Sequence, residues 1–541
     1  MNRQRTEHLS QELCTLLAPL AALLWMIRAP LGVRTSHIWG PEDPWANNDW
    51  VGNLWMWWRT AEARTGTEWN TQIVWPSGGG DLNAVFPNRI DAWLAAPWAN
   101  VDALAAWWNN QALLHIGLAA LSLPVLLRIV GVSRWGTVLA STFAISAPVW
   151  LHELAGGRMA TFVIWPGLLS IAAISATNRW APRRHLLAAL AGLLCGLQFL
   201  AYPFYGLVVA GIAATLLLCS KSALRQRLLT LSITGAACAI VCLPSLLTWS
   251  DAFQSADSLP PPAGYTSLTL QGALGFTEMP GRFRVVPGFF LLVGAACAHH
   301  KARLWAVGAL TILIFAMGPE IRWSLGATDG VSGPMHLLTA VSETLRRMHH
   351  PIRLVPFALA TGAVALGLAF DRLSRQAPKR VVPVGSLIAM TTICATSLLP
   401  TAFAWEGAST PEGVNGARFL AARQGPVAHV TTRDHAGLPH QLWHRQAVLA
   451  STQGFAPPPD RQDTQARRGL LKAVEALRAG RSIGLATASL RNAGVRSLLV
   501  TAEASPTGQA FLAERRASLL TVAGDPLFVS DTALVFALAN P

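Results

Sequence analysis

The stretch TFVIWPGLLSIAAISATNRWAPRRHLLAALAGLLCGLQFLAYPFYGLVVAGIAATLLLCSKSALRQR (161–227) contains no Asp or Glu, and its Lys and Arg residues fall into two short clusters. One cluster is Arg179, Arg183 and Arg184; the other is Lys221, Arg225 and Arg227. Between and before them run apolar segments of roughly 20 residues, the length a helix needs to cross a bilayer core. The same layout extends outward in both directions. Apolar windows predict spans near 12–33, 111–130, 136–151, 159–177, 185–201, 203–220, 228–248, 285–299, 303–318, 353–370 and 381–402. The expected fold is an α-helical polytopic membrane protein with about eleven transmembrane helices.

Composition agrees. The chain of 541 residues is 52% hydrophobic and only 13% charged, against about 25% charged in an ordinary soluble domain. Its net charge of +14 would suggest nucleic acid in a soluble chain, but much of the Lys and Arg sits between apolar segments, and no basic stripe interleaved with aromatics appears. No nucleic-acid partner is expected. All seven cysteines fall in apolar segments without metal-ligand spacing and read as small buried hydrophobes.

Placing the N-terminus inside makes every inside loop basic, as the positive-inside rule requires. The uncleaved first helix and the odd number of spans then put the C-terminus outside. Four regions face outward: 34–110, 152–158, 249–284 and 319–352. In the first, NNDWVGNLWMWWRTAEA (47–63) and RIDAWLAAPWANVDALAAWW (89–108) are rich in tryptophan. They are expected as amphipathic helices on the outer leaflet, because indole prefers the membrane interface. Residues 1–402 form the expected membrane domain. From 403 to 541 the pattern alternates helix, as in RRGLLKAVEALRAG (467–480), with strand, as in VRSLLVTA (495–502), and implies a soluble α/β domain.

The candidate chemistry lies in the outward regions. Asp49, with Asp43 just upstream, can serve as a general base toward a hydroxyl or hold a divalent cation against a phosphate. It can equally cap the helix that starts after it. The turn HELAGGR (152–158) brings Glu153 and Arg158 together, for acid–base work and phosphate binding or as a purely structural pair. Arg282 and Arg284 precede one span, and Arg346, Arg347, His349, His350 and Arg353 precede another. Outward basic residues run against the positive-inside rule, so an anionic headgroup or lipid pyrophosphate is the natural partner, with snorkelling at helix ends the plainer account. His435, His440 and His444, with Asp434, read as a surface loop.

The order of these segments is similar to a known one. The early outer acid, WPSGGGDLNAVFPNRIDAWLAAP (75–97), APVWLHELAGGRMATFVIWP (147–166), LRRMHHPIRLVPFALA (345–360) and LRNAGVRSLLVTAE (490–503) resemble the bacterial polytopic GT-C-fold glycosyltransferase-like membrane proteins with a periplasmic α/β tail. The resemblance implies a bacterial inner-membrane enzyme that moves a sugar from a polyprenyl-phosphate donor to an acceptor on the outer face. It implies that Asp49, or else Asp43, is the catalytic acid, that Glu153 assists, and that Arg158, Arg284, Arg347 and Arg353 hold the phosphate. A divalent cation, Mg or Mn, is the one cofactor it allows. The turn reads GGR where the family pattern has GGH, so Arg158 stands in a histidine's place. The competing expectation is a protein without catalysis that binds or flips a lipid-linked glycan, or scaffolds envelope assembly.

Overall fold

The computed structural model describes residues 2–40, 45, 48–64, 89–145, 153–154, 156–256, 300–322, 330–341, 350–375, 404–405, 411–432, 437–449 and 461–538. The expected spans 285–299 and 381–402 lie outside these residues, as do Asp43, Arg282, Arg284, Arg346, Arg347 and His349. The chain divides into two compact units. The first joins 1–33, 111–244 and 259–403; the second joins 34–110, 245–258 and 404–541. The sequence reading assigns 34–110 to the membrane half, whereas its contacts group it with the C-terminal residues.

The first unit is a bundle. Among the described residues, five helices are long and apolar enough to cross a membrane: Leu9–Met26, Val101–Val130, Ala181–Ala201, Leu224–Leu243 and Pro351–Ser374. Three shorter apolar helices, Trp165–Thr177, Pro203–Leu218 and Ala302–Ala316, match further expected spans. The apolar helix of residue 228 onward continues past the expected end at 248 as far as Ala256.

Side chains in a bilayer gain nothing by leaving lipid for one another, so helix pairs are held by close approach and by interhelical hydrogen bonds. Gly192 and Gly196, four apart on helix Arg184–Ala201, provide that approach. A Cβ on Gly192 would lie 2.2 Å from the Thr234 carbonyl oxygen, and one on Gly196 would lie 2.6 Å from Val241. Across the same contact the Thr234 hydroxyl donates to Ala188 O at 3.1 Å. Helix Trp165–Thr177 begins where Pro166 supplies a preset φ. The buried Gln198 amide then completes the start, accepting from Gly167 N at 2.9 Å and donating to Val163 O at 2.8 Å. That answers an orphan N–H that no water would reach.

Helix Val355–Ser374 has 20 residues, about 30 Å of rise, and is fixed at both ends. Near its C-terminal end Asp371 accepts from Ser133 N at 2.6 Å and from the Ser133 hydroxyl. Beside that point Glu12 takes two bonds from Arg128, at 2.8 and 3.0 Å, and one from Arg134 at 2.9 Å.

The second unit carries a five-stranded mixed sheet in the order Val448–Leu449, Val427–Thr431, Ser497–Thr501, Ala533–Ala537, Phe528–Val529. The first three strands run parallel and the last two pairings are antiparallel. Alternate residues of each strand face opposite sides. Val430, Leu498, Val500 and Phe536 meet a core with Val474, Leu490 and Leu512 from the helices Arg461–Arg478, Ile483–Asn492 and Pro506–Ala523. The other face lies against helix Val414–Ala421, where a Cβ on Gly416 would meet Leu499 at 2.9 Å. This is the layered α/β domain read from the sequence.

The tryptophan-rich segments form helices Asn48–Arg64 and Arg89–Ala95 and the start of Leu104–Val130, yet most of their indoles do not face lipid. Trp50, Trp55, Trp57, Trp58, Trp107 and Trp108 are buried, while Trp93 and Trp98 stay exposed. Rings of Trp57 and Trp108 stack at 4.9 Å. Three of the indole N–H groups are answered inside the protein: Trp57 donates to Asp91 at 2.8 Å, Trp107 to Ala95 O at 3.0 Å and Trp108 to Trp39 O at 2.8 Å, while the buried Trp58 Nε1 has no partner among the described residues. An indole that has a protein partner has no need of an interface.

Gly192→Val is expected to separate helices Arg184–Ala201 and Leu224–Ala256 and lower the thermal midpoint in detergent by several degrees. Gly211→Val, with nothing within 4 Å of its Cβ, should leave the midpoint unchanged. Differential scanning fluorimetry distinguishes the two.

Candidate functional site

The Glu153–Arg158 turn is built by its glycines. Gly157 takes φ +75°, and Arg158 N returns to Glu153 O at 2.8 Å. A Cβ on Gly156 would lie 2.5 Å from the Arg158 guanidinium, so only glycine lets that side chain fold back. The result is an Arg158 Nε to Glu153 Oε2 bond of 2.7 Å. Arg353 comes from elsewhere in the chain, on the short helix Pro351–Leu354, where buried Ile352 and Leu354 fix its direction. Its Nε lies 3.0 Å from the same Glu153 oxygen. The Thr161 hydroxyl donates to that oxygen at 2.7 Å.

Tyr202 completes the cluster. It sits in extended conformation between helices Arg184–Ala201 and Pro203–Leu218. Its hydroxyl accepts from Arg353 Nη1 at 3.3 Å, with the guanidinium 5.5 Å from its ring centroid. Tyr205 packs edge-on against it at 4.8 Å and against Phe357 at 5.1 Å. The Tyr205 hydroxyl is buried without a partner. His350 is half-buried beside Arg353 in sequence.

Two guanidiniums and one carboxylate meet in a poorly solvated place. Burial alone would push the Glu153 carboxyl up, but Arg353 and Arg158, with the bonds from Arg158 and Thr161, outweigh it and hold it down at about 2. A carboxylate so engaged keeps its charge at every ordinary pH and is a poor proton acceptor. It fixes the two cations instead. An apolar cavity of about 570 Å³ lies between helices Pro203–Leu218 and His300–Ala316. Its walls include Phe204, Leu207, Trp305, Ile312 and Leu354, and Leu354 directly follows Arg353.

Asp49 stands in the first turn of helix Asn48–Arg64 rather than before it. An anion there is favoured by the helix dipole. The same helix touches another acid. Asp91 is fully buried, with Oδ2 bonded to Trp57 and Oδ1 without a partner, and burial pushes its carboxyl up to about 7. His440 and His444 are not on a surface loop: both are buried on helix Gly437–His444, while Asp434 and His435 lie outside the described residues. His440 Nε2 donates to Glu412 O at 2.7 Å, and the His444 Nδ1 accepts from Gln446 N at 3.0 Å. Burial holds His444 neutral, down at about 3. Among the described residues no group of three or more His, Cys, Asp and Glu side chains is arranged to hold a metal ion, and Glu153 is already taken by arginine.

Sequence reading singled out Glu153, Arg158 and Arg353, which the fold brings together. It missed Thr161, Tyr202 and Tyr205. One signal was present: the chain has only three tyrosines, and two of them share the AYPFYG break between two apolar helices.

No protein-family model matches the sequence, and no curated protein matches it. Solved structures do. ArnT from Cupriavidus metallidurans, bound to undecaprenyl phosphate, aligns at 14% identity over 97% of this chain and 98% of that one, with a TM-score of 0.55. The arabinofuranosyltransferase AftD from mycobacteria aligns at 17% identity over 97% of this chain and 41% of that one, also with a TM-score of 0.55. The oligosaccharyltransferase AglB from Archaeoglobus fulgidus aligns at 12% identity over 96% and 72%, with a TM-score of 0.49. The chain has a GT-C-like membrane fold.

Glu153→Gln removes the carboxylate paired with the mostly buried Arg353 and the half-buried Arg158 and is expected to cost about 3 kcal/mol at neutral pH. Because the native carboxyl is depressed, wild type loses this advantage as pH falls from about 4.5 toward 2. Stability curves of the two proteins should therefore converge over that window, and a gap independent of pH would refute the charge argument.

Proposed function

We propose that the protein is a glycosyltransferase that takes a sugar from a polyprenyl-phosphate donor and transfers it to an envelope glycan, lipid or protein. In this reading it lies in a bacterial inner membrane with its N-terminus inside and its C-terminal domain outside. The observation that carries the reading is the pair Arg158 and Arg353, locked on Glu153, with Leu354, the residue after Arg353, in the wall of an apolar cavity. A polyprenyl phosphate has both halves of that chemistry, an apolar tail and an anionic head. Likeness in fold to ArnT, solved with undecaprenyl phosphate, supports the same choice.

The acceptor hydroxyl oxygen attacks the anomeric carbon, and Asp49 takes its proton. The bond from that carbon to the phosphate oxygen breaks, and its electrons leave with the polyprenyl phosphate. Arg158 and Arg353 stabilise the charge that grows on this leaving group, and their fixed position means that no reorganisation is needed as it develops. Arg282, Arg284, Arg346, Arg347, His349 and His350 are further candidates for the phosphate, and Asp43 is the alternative base. Glu153 serves by orienting the arginines.

The test is a transfer assay on purified protein in lipid with a panel of polyprenyl-phosphate sugars. Wild type should transfer from at least one donor, and Asp49→Asn should lower kcat by about 10²-fold or more. Equal rates would remove Asp49 from the chemistry. Folded protein that binds the lipid but transfers from no donor would favour the reading without catalysis.

A further inference from the structure

Helix Asn48–Arg64 is gripped along one side by helix Gly437–His444 of the C-terminal domain. Trp55, 1% exposed, donates its indole N–H to the Gln441 side-chain oxygen at 2.8 Å, and Gln441 is 3% exposed. The other half of the same amide donates to Gln446 O at 2.9 Å. Two further contacts join the same stretches of chain. Trp443 faces Trp45 at 6.2 Å, and Trp45 in turn meets Trp50 edge-on at 4.8 Å. Arg445 reaches Glu62 at 3.6 Å in solvent, which adds little.

The grip has a strained hinge. Arg445 holds φ +56°, a left-handed conformation that a residue with a Cβ rarely adopts. This bend turns Gln446 back, so that its carbonyl meets Gln441 and its N–H meets His444. On the opposite side the helix is tied to the sheet through His440, which bonds Glu412 O and lies 4.6 Å, ring to ring, from His429 on strand Val427–Thr431. A buried amide with both ends satisfied is rigid, and removing it leaves the Trp55 N–H without its acceptor.

We propose that Gln441 is a positioning residue: through Trp55 it sets the orientation of helix Asn48–Arg64, and so of the first turn that carries Asp49. The inference rests on Asp49 being the base. It gives the C-terminal domain a part in the reaction, since a misplacement of about 1 Å can cost as much as 10²-fold in rate.

The experiment compares kcat and donor KM for Gln441→Leu, Trp55→Phe, the double variant, Asp49→Asn and Leu498→Ala. Leu498 lies fully buried in the sheet core, so Leu498→Ala serves as a control that only destabilises. Each single variant at the grip should lower kcat about tenfold with KM unchanged, and the double variant should be no slower than either. Leu498→Ala should lower the thermal midpoint while the folded fraction keeps its kcat. If Asp49→Asn is inactive but Gln441→Leu and Trp55→Phe stay within twofold of wild type, the inference fails and the base assignment stands. If Asp49→Asn keeps its kcat, the base assignment fails and the inference falls with it.

Discussion

The Glu153 carboxylate is the constraint on which the membrane unit's polar end depends. It binds Arg158 across a five-residue turn and Arg353 across two hundred residues. Either arginine alone would be costly where water is scarce, and together they would repel. With the carboxylate between them they become a fixed pair. Removing charges from water is expensive, so a buried ion triad is weak evidence for stability as such. Under the proposed function the triad is there for an anionic ligand.

The rest of the bundle keeps that pair in place with few specific contacts. Helix Val355–Ser374 holds Arg353 just before one end and Asp371 near the other, with both ends bonded to other helices. Gln198 secures the start of the helix that follows the Arg158 turn, and the glycines of helix Arg184–Ala201 bring its neighbour close. In the second unit the same economy is achieved with indoles. Each of Trp55, Trp57, Trp107 and Trp108 combines apolar burial with one directed bond.

Much of this was legible in the residues, and the exceptions have physical causes. Span positions followed from apolar length, and eight helices among the described residues fall where the windows place them. Glu153, Arg158 and Arg353 stood out because charge beside a span needs a reason. Tyr202 and Thr161 did not, since a hydroxyl acquires its meaning only from what the fold puts opposite it. The tryptophans misled for a related reason: an indole suited to a lipid interface is equally suited to a wet-edged protein core, and composition cannot separate the two. His440 and His444 read as surface because three histidines beside Asp434 look polar, but a buried imidazole packs well once its ring nitrogen has a partner.

The most direct measurement is the affinity of the protein, in nanodiscs, for a polyprenyl phosphate without sugar and for the matching polyprenol. Wild type should prefer the phosphate, and Arg353→Gln should weaken phosphate binding about tenfold or more, as loss of a charged hydrogen bond does, while polyprenol binding stays the same. An Arg353→Gln protein that is folded and binds the phosphate as tightly as wild type would contradict the account.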